Sequence, residues 1–420
     1  MKQRQWFNLH HWVGFQLSIL LVFVMFTGTL ATISKELDWL TNSAIRGNSM
    51  LSEEQKLPWA DLMVSATRAF PYATFQSIER PNPAWHNVKA MALNTKGERF
   101  YIYLDAKTAE VQGTGARFNW QRFFRQVHRH MMLPVKVGVS IVGMCAFALL
   151  TLLISGLYSY KNWWKRFFTL PKYQPFYTVE MSNNPRVVAA KKRKFWSDLH
   201  KFSGLWCLWF VLLIAVTGTW YVVEQWGGGI KYPKLYNSKV HTLESNTQVI
   251  LNKYSPVAVN KAIETIHESH PDYLIEELTW SKTPPYLLGI EGQNKAWLVR
   301  GRANKQEFDA VNGDFIAGRQ AQQLNWHFRV SEAADPLHMG RVWGWKSRYI
   351  WFVFGSILTG LGISGVYMYG LRLKQMIKLP GNQSHNIMKV LWHHYLWLKW
   401  PSILLILVCF GLVIPELPIH

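Results

Sequence analysis

The sequence predicts an α-helical membrane bundle of four to five transmembrane helices carrying two external α+β modules, with one unit used twice. Three observations lead there: long uncharged apolar runs, the placement of basic residues between them, and motifs that recur from Trp6 and His10 to Trp196 and His200.

Val13–Ile33, Val137–Tyr160, Phe202–Val223, Tyr349–Tyr369 and Ser402–Ile414 contain no Asp, Glu, Lys or Arg. A helix needs about 20 residues to cross a hydrocarbon core, so the first four suffice. The fifth becomes a further candidate when Leu396, Leu398 and Trp400 extend it. Lys2 and Arg4 precede the first run as in a secretory signal, but its apolar core is long and no small-x-small cleavage site follows. It reads as a retained anchor.

The formal charge of +21 is concentrated in two short connections. Segment 161–201 carries ten Lys and Arg against Glu180 and Asp198, and segment 370–399 carries Arg372, Lys374, Lys378, Lys389 and Lys399 with no acid. Alternating spans put both on the side of the N-terminus. The positive-inside bias makes that side cytoplasmic and the protein multi-pass. The basic excess thus reports topology and a lipid bilayer, and no nucleic acid is expected. The resulting layout is helix 1 (1–34), external module 1 (35–127), helix 2 (128–160), basic loop (161–195) and helix 3 (196–224). External module 2 (225–337), helix 4 (338–370), a second loop (371–392) and a fifth helix (393–420) follow. Cys145, Cys207 and Cys409 lie in separate apolar runs; with no CxxC or CxxCH, zinc ribbons and covalent c-type haem are excluded.

Trp6, His10, Gly14 and Thr27-Gly28-Thr29 recur as Trp196, His200, Gly204 and Thr217-Gly218-Thr219. A fainter third copy aligns His393-His394 with His10-His11. Ile154-Ser155-Gly156 recurs as Ile363-Ser364-Gly365. Outside, a helical stretch (58–70) precedes the alternating Glu98–Leu104 and an Asp105–Gly113 turn. A second helical stretch (257–269) precedes Leu274–Trp280, Tyr286–Ile290, Ala296–Arg300 and an Asp309–Gly318 turn.

Eight of the fifteen histidines sit at helix approaches: 10, 11, 128, 130, 200, 338, 393 and 394. His10 and His200 belong to one face of the bilayer, and His128 or His130 with His338 to the other. Neutral imidazole is a good axial ligand for haem iron, and two opposed ligands on different helices favour electron transfer. Histidine can also serve as an interfacial anchor beside Trp and Tyr; recurrence in register is what favours ligation. Successive helix residues diverge by about 100°, so only one of His10 and His11 faces a shared site. The repeat selects His10, because Lys201 follows His200. His11, His393 and His394 are weaker candidates, with Met131 and Met339 as softer alternatives. A Walker loop is missing, and His267 and His270 lack a third convergent ligand.

Leu9-His10-x-x-x-Gly14, Leu199-His200-x-x-x-Gly204, Leu337-His338-Met339-Gly340-Arg341 and the repeated module order resemble the PepSY-associated transmembrane family, from about residue 5 to about residue 370. The resemblance implies PepSY-like external modules and a di-haem, inner-membrane ferric-siderophore reductase. It implies two b-type haems held by His10, His200, His128 and His338. It further implies a ferric siderophore as substrate and a cytoplasmic or membrane electron donor. Trp120, Arg122 and Arg125 are candidate substrate contacts. The competing readings are a non-enzymatic scaffold whose modules bind or inhibit a peptidase, and a permease. The first leaves the repeated histidines unexplained. The second lacks buried acids along a transport path.

Overall fold

The computed structural model describes residues 2–47, 51–52, 55–171, 185–235, 254–281, 286–376 and 387–416. Residues 172–184 and 377–386 of the two expected basic loops lie outside the described residues. In chain order the elements are α1 (Gln3–Gln16), α2 (Ser18–Thr32), α3 (Ser34–Thr41), α4 (Trp59–Ala69), β1 (Thr74–Glu79), β2 (Val88–Leu93), β3 (Arg99–Leu104) and β4 (Val111–Ala116). Next come α5 (Trp120–His130), α6 (Val135–Ser159), α7 (Pro185–Trp206), α8 (Leu208–Val223) and α9 (Pro256–Ser269). The chain continues with β5 (Leu274–Trp280), β6 (Leu287–Gln293), β7 (Gln306–Asp309) and β8 (Phe315–Gly318). It ends with α10 (Trp326–Met339), α11 (Ser347–Met376), α12 (Ile387–His394) and α13 (Lys399–Val413).

Two compact units result. Among the described residues, one gathers those of 2–33, 123–228 and 347–416, and the other those of 34–122 and 229–346. The first is a membrane unit. Among the described residues three helices are long and apolar enough to span, and up to five spans arise if the bent pairs α1–α2 and α12–α13 each count as one.

The bends depart from the sequence expectation. The apolar run of the first span reads as one helix, yet α1 and α2 meet at 69° around Leu17 (φ −95°, ψ 0°). Cys207, which follows His200 as Leu17 follows His10, separates α7 from α8 with φ −86° and ψ −1°. Neither break contains Pro or Gly, and Leu17 N–H still reaches Val13 O at 3.2 Å. At Leu17 the helix path changes while the backbone bonding persists, so no breaker residue marks it.

Packing crosses over between the two halves. α1 lies along α6 and α2 along α11, whereas α7 lies along α11 and α8 along α6. Small residues permit these approaches, as lipid-embedded helices require. Gly143 sits against Val222, Gly218 against Ala146 and Gly355 against Thr29.

Three further boundaries differ from expectation. α7 begins at Pro185, inside the expected loop. The expected fifth helix is α12 and α13, bent by 105°, with His393 and His394 on the short first piece. His128 and His130 lie on α5, which Met131–Pro134 separates from α6, and Gly340 caps α10 in the left-handed conformation just beyond His338.

The second unit is built on an eight-stranded antiparallel sheet of order β4-β3-β2-β1-β5-β6-β7-β8. Two four-strand meanders join through their first strands, pairing Ser77 with Thr279, Ile78 with Leu278 and Glu79 with Glu277. Alternation gives each strand one apolar face. Ile78, Ala90, Ile102, Leu278 and Ile290 pack with Leu62 and Met63 of α4 and Val259, Ala262 and Ile266 of α9 in one core. Asp105 Oδ1 accepts from Lys107 N–H and Thr108 N–H, and Asp309 Oδ1 accepts from Val311 N–H and Asn312 N–H. These side-chain turns join β3 to β4 and β7 to β8.

Ala296–Arg300 is not a strand. Leu298 is left-handed (φ 56°), Val299 buries against Ala303 and Ala321, and the Arg300 guanidinium binds Glu332 and Asp335 of α10. Those contacts draw the segment off the sheet, and Gln306–Asp309 takes the strand position.

The opposite face carries a row running Tyr103, Lys89, Glu79, Glu277, Glu291 across five strands. Directly opposed like charges are unfavourable. Burial, then the charge of Glu79, pushes the Glu277 carboxyl up to about 7. Against the upward pull of burial, Lys89, 3.0 Å from Glu79, holds the Glu79 carboxyl below its ordinary range. Glu277 therefore binds its proton more tightly folded than unfolded, so its contribution to stability falls as pH rises from about 4.5 to about 7. Glu277→Gln is expected to be more stable than the parent by about 1–2 kcal/mol at pH 8, with the gap closing by pH 4. Thermal melts of the full chain at the two pH values measure this, and a pH-independent difference would refute it.

Candidate histidine site in the membrane unit

α1 presents His10 toward α6. Its Nδ1 lies 3.0 Å from Leu152 O and 3.1 Å from Ser155 Oγ. A carbonyl only accepts, so Nδ1 carries the proton. Ser155 spends its own hydroxyl proton on Thr151 O and is left to accept. α7 presents His200 to α11 in the same way: Nδ1 is 3.0 Å from Ser364 Oγ, whose proton goes to Leu361 O at 3.1 Å. On α5, His128 Nδ1 donates to Val24 O at 2.9 Å. Partner chemistry thus assigns the same tautomer to all three rings. His10 and His200 keep their Nε2 lone pairs for a ligand.

Glycine borders each ring. A Cβ at Gly156 would stand 3.3 Å from His10 Cε1, and one at Gly365 3.6 Å from His200 Cε1. At Gly28 it would stand 2.6 Å from His128 Cε1, so no side chain fits there. The surroundings of the first two rings also repeat. Trp6 stacks on Tyr158 at 4.7 Å, and Trp196 meets Tyr367 edge-on at 5.4 Å.

The other candidates separate from this set. His11 turns to Phe7 (4.2 Å) and Tyr369 (5.9 Å), as a residue one step round the helix must. His393 and His394 are exposed, and His394 Nδ1 bonds Val390 O of its own helix. His130 Nδ1 is buried without a hydrogen-bond partner. His338 is half-buried in the last turn of α10, within the sheet unit. Of the weak substrate candidates, Trp120 is exposed, its backbone N–H donating to Asp38 Oδ1 at 2.7 Å; Arg125 is exposed and Arg122 half-buried.

Sequence reasoning missed the serines. Ile-Ser-Gly recurs with the histidines, but its small residues read as helix packing; the serine is the ring's hydrogen-bond acceptor. A cleft of about 50 Å³ in the sheet unit was missed as well. Lys35, Asp38, Glu79 and Lys89 are among its lining residues, and burial pushes Asp38 up to about 6. Its charges are largely spent internally, Lys35 Nζ donating to Asn82 O and Lys89 pairing with Glu79.

Among the described residues no three His, Cys, Asp or Glu side chains converge on a point. A macrocycle needs only two axial donors from the protein, and imidazoles with Nδ1 anchored and Nε2 open suit that role. His10 and His200 therefore fit haem iron. Comparison with curated proteins returns no match. A family model described as the PepSY-associated TM region matches residues 7–372. The repeated helix motifs, the spans and the match over most of the chain agree: this membrane protein belongs to the PepSY-associated TM family.

Proposed function

We propose that the protein transfers electrons across the bacterial inner membrane through two b-type haems and reduces a periplasmic ferric siderophore, releasing Fe(II). The observation that carries this reading is the shared Nδ1-anchored, Nε2-open state of His10 and His200. When bound, haem supplies a one-electron couple that shuttles between ferric and ferrous iron.

The chain's own residues do the rest. His10 and His200 hold the cytoplasmic-side group. Ser155, Ser364 and the Leu152 carbonyl fix ring direction and raise imidazole basicity. His128 serves the outer-side group. Gly28, Gly156 and Gly365 leave the ring edges unobstructed. The basic connections support a cytoplasmic N-terminus. The two meanders, each with one helix, are PepSY-like modules; their equivalent order and the matching breaks at Leu17 and Cys207 support an internal duplication. The sheet unit then offers the periplasmic docking surface. Siderophore oxygen donors hold Fe(II) far less tightly than Fe(III), so one electron opens the chelate.

The test starts with a pyridine haemochrome of the purified protein, expected to give two b-type haems per chain. Anaerobically reduced protein is then mixed with a ferric siderophore, and Fe(II) is trapped with a chromogenic chelator. Reoxidation with matching Fe(II) release is the expected result. Protein without a Soret band would overturn the reading and return the scaffold function to the fore.

A further inference from the structure

The two breaks differ in what flanks them. Trp206 and Leu208 surround Cys207, whereas Gln16 and Ser18 surround Leu17. Gln16 and Ser18 are only 5% and 3% exposed. Polar side chains in a lipid-embedded helix are costly unless partnered. Their partners beyond α1 come from the end of α12 and the turn that follows it. Gln16 Nε2 donates to His394 O at 3.3 Å, and Gln16 Oε1 accepts from Leu396 N–H at 2.9 Å. Ser18 Oγ donates to Phe15 O at 2.8 Å, which leaves it to accept from Tyr395 O–H at 2.6 Å. The Tyr395 ring stacks on Phe15 at 4.1 Å, and Phe15 leans on Tyr369 at 4.3 Å.

We propose that the His394–Leu396 turn is an intramolecular clamp on the α1–α2 elbow, and that Gln16, Ser18 and Tyr395 are positioning residues for His10. The consequence for His10 rests on the haem reading above; the clamp itself does not. His10 lies less than two turns before Gln16 on the same helix, so the elbow sets the angle at which α1 carries the ring past α6. Withdrawing the turn would strand the Gln16 amide and the Leu396 N–H together, a cost that keeps the elbow in one geometry. Among the described residues the second copy shows no such device. Trp206 instead donates outward to Phe167 O at 2.9 Å. The clamp also gives the third His-His pair a purpose other than ligation: its backbone carries the grip.

The experiment uses the full chain in nanodiscs with spin labels at Asn8 on α1 and Lys161 beyond α6. Both sites are exposed, while the three native cysteines are buried. Gln16→Leu, Ser18→Leu and Tyr395→Ala are each expected to broaden the inter-label distance distribution at least twofold, and Trp206→Leu to leave it unchanged. If Tyr395→Ala does not fold, Tyr395→Phe carries the test, since it keeps the stack and deletes only the bond to Ser18. In the haem-loaded protein the same variants should shift one low-spin ferric resonance, the one that His10→Ala abolishes, and leave the other in place. An unchanged distance distribution in folded variants overturns the clamp. Broadening with both resonances unmoved overturns the positioning of His10. Broadening in a protein that binds no haem supports the clamp and sinks the haem reading alone.

Discussion

His200→Ala is expected to halve the haem content of the purified protein and to abolish reduction of ferric siderophore. His10→Ala should remove the same haem, because the proposed function assigns both rings to one group, while His11→Ala and His393→Ala retain both haems. The asymmetry is geometric: His10 and His200 are anchored through Nδ1 to the neighbouring helix, whereas His11 faces an aromatic pair and His393 is exposed. Ser364→Ala probes the anchor itself. Loss of an outer-shell hydrogen bond typically costs 10–100-fold in affinity or activity, and an effect of about that size is expected in haem titration. Full haem content in His200→Ala would refute the assignment.

The second large effect lies in the sheet unit. Glu332 is fully buried. It accepts from Arg300 Nε at 2.8 Å and Nη2 at 3.0 Å, from Arg302 Nε at 3.1 Å and from Tyr232 O–H at 3.0 Å. Burial opposes its charge, but Arg300 and then Arg302 win, and the carboxyl stays below its ordinary range. Removing one partner of such a cluster leaves the remaining charges uncompensated, at a cost of about 3–5 kcal/mol. Glu332→Ala is therefore expected to lower the melting temperature of the unit by roughly 6–20 °C. Because the folded carboxyl titrates below its unfolded value, its contribution is present near neutrality and is lost as pH falls through the folded pKa. The difference between parent and variant should shrink in acid. A Glu332→Ala melt indistinguishable from the parent at pH 7 would show that the network contributes nothing.

These two sites were unequally legible in the sequence. The spans were readable because charge is absent from them, and His10 and His200 because they recur in register. The helix breaks were not readable: Leu17 and Cys207 are ordinary residues that keep their backbone bonds, and the bend follows from what packs against it. Strands β3, β5 and β6 followed their alternation, while Ala296–Arg300 alternates equally well and fails as a strand because Arg300 is drawn to Glu332. That partner lies on another element, and no local pattern announces it. Ser155 and Ser364 stood in plain view in a repeated tripeptide, but only the ring beside them reveals what they hold.

The crossed packing of the membrane unit has a consequence for biogenesis. α2 and α6 enter the bilayer before α11 and α8 exist, so the glycine and threonine faces at Thr29 and Gly143 must first meet lipid. Thr29 waits for Thr359, 330 residues further along the chain. At about 5–20 residues per second, that interval lasts roughly 16–66 s. The newly inserted N-terminal half is thus an unfinished surface for that time, and a membrane chaperone or insertase has reason to shelter it until the second half arrives.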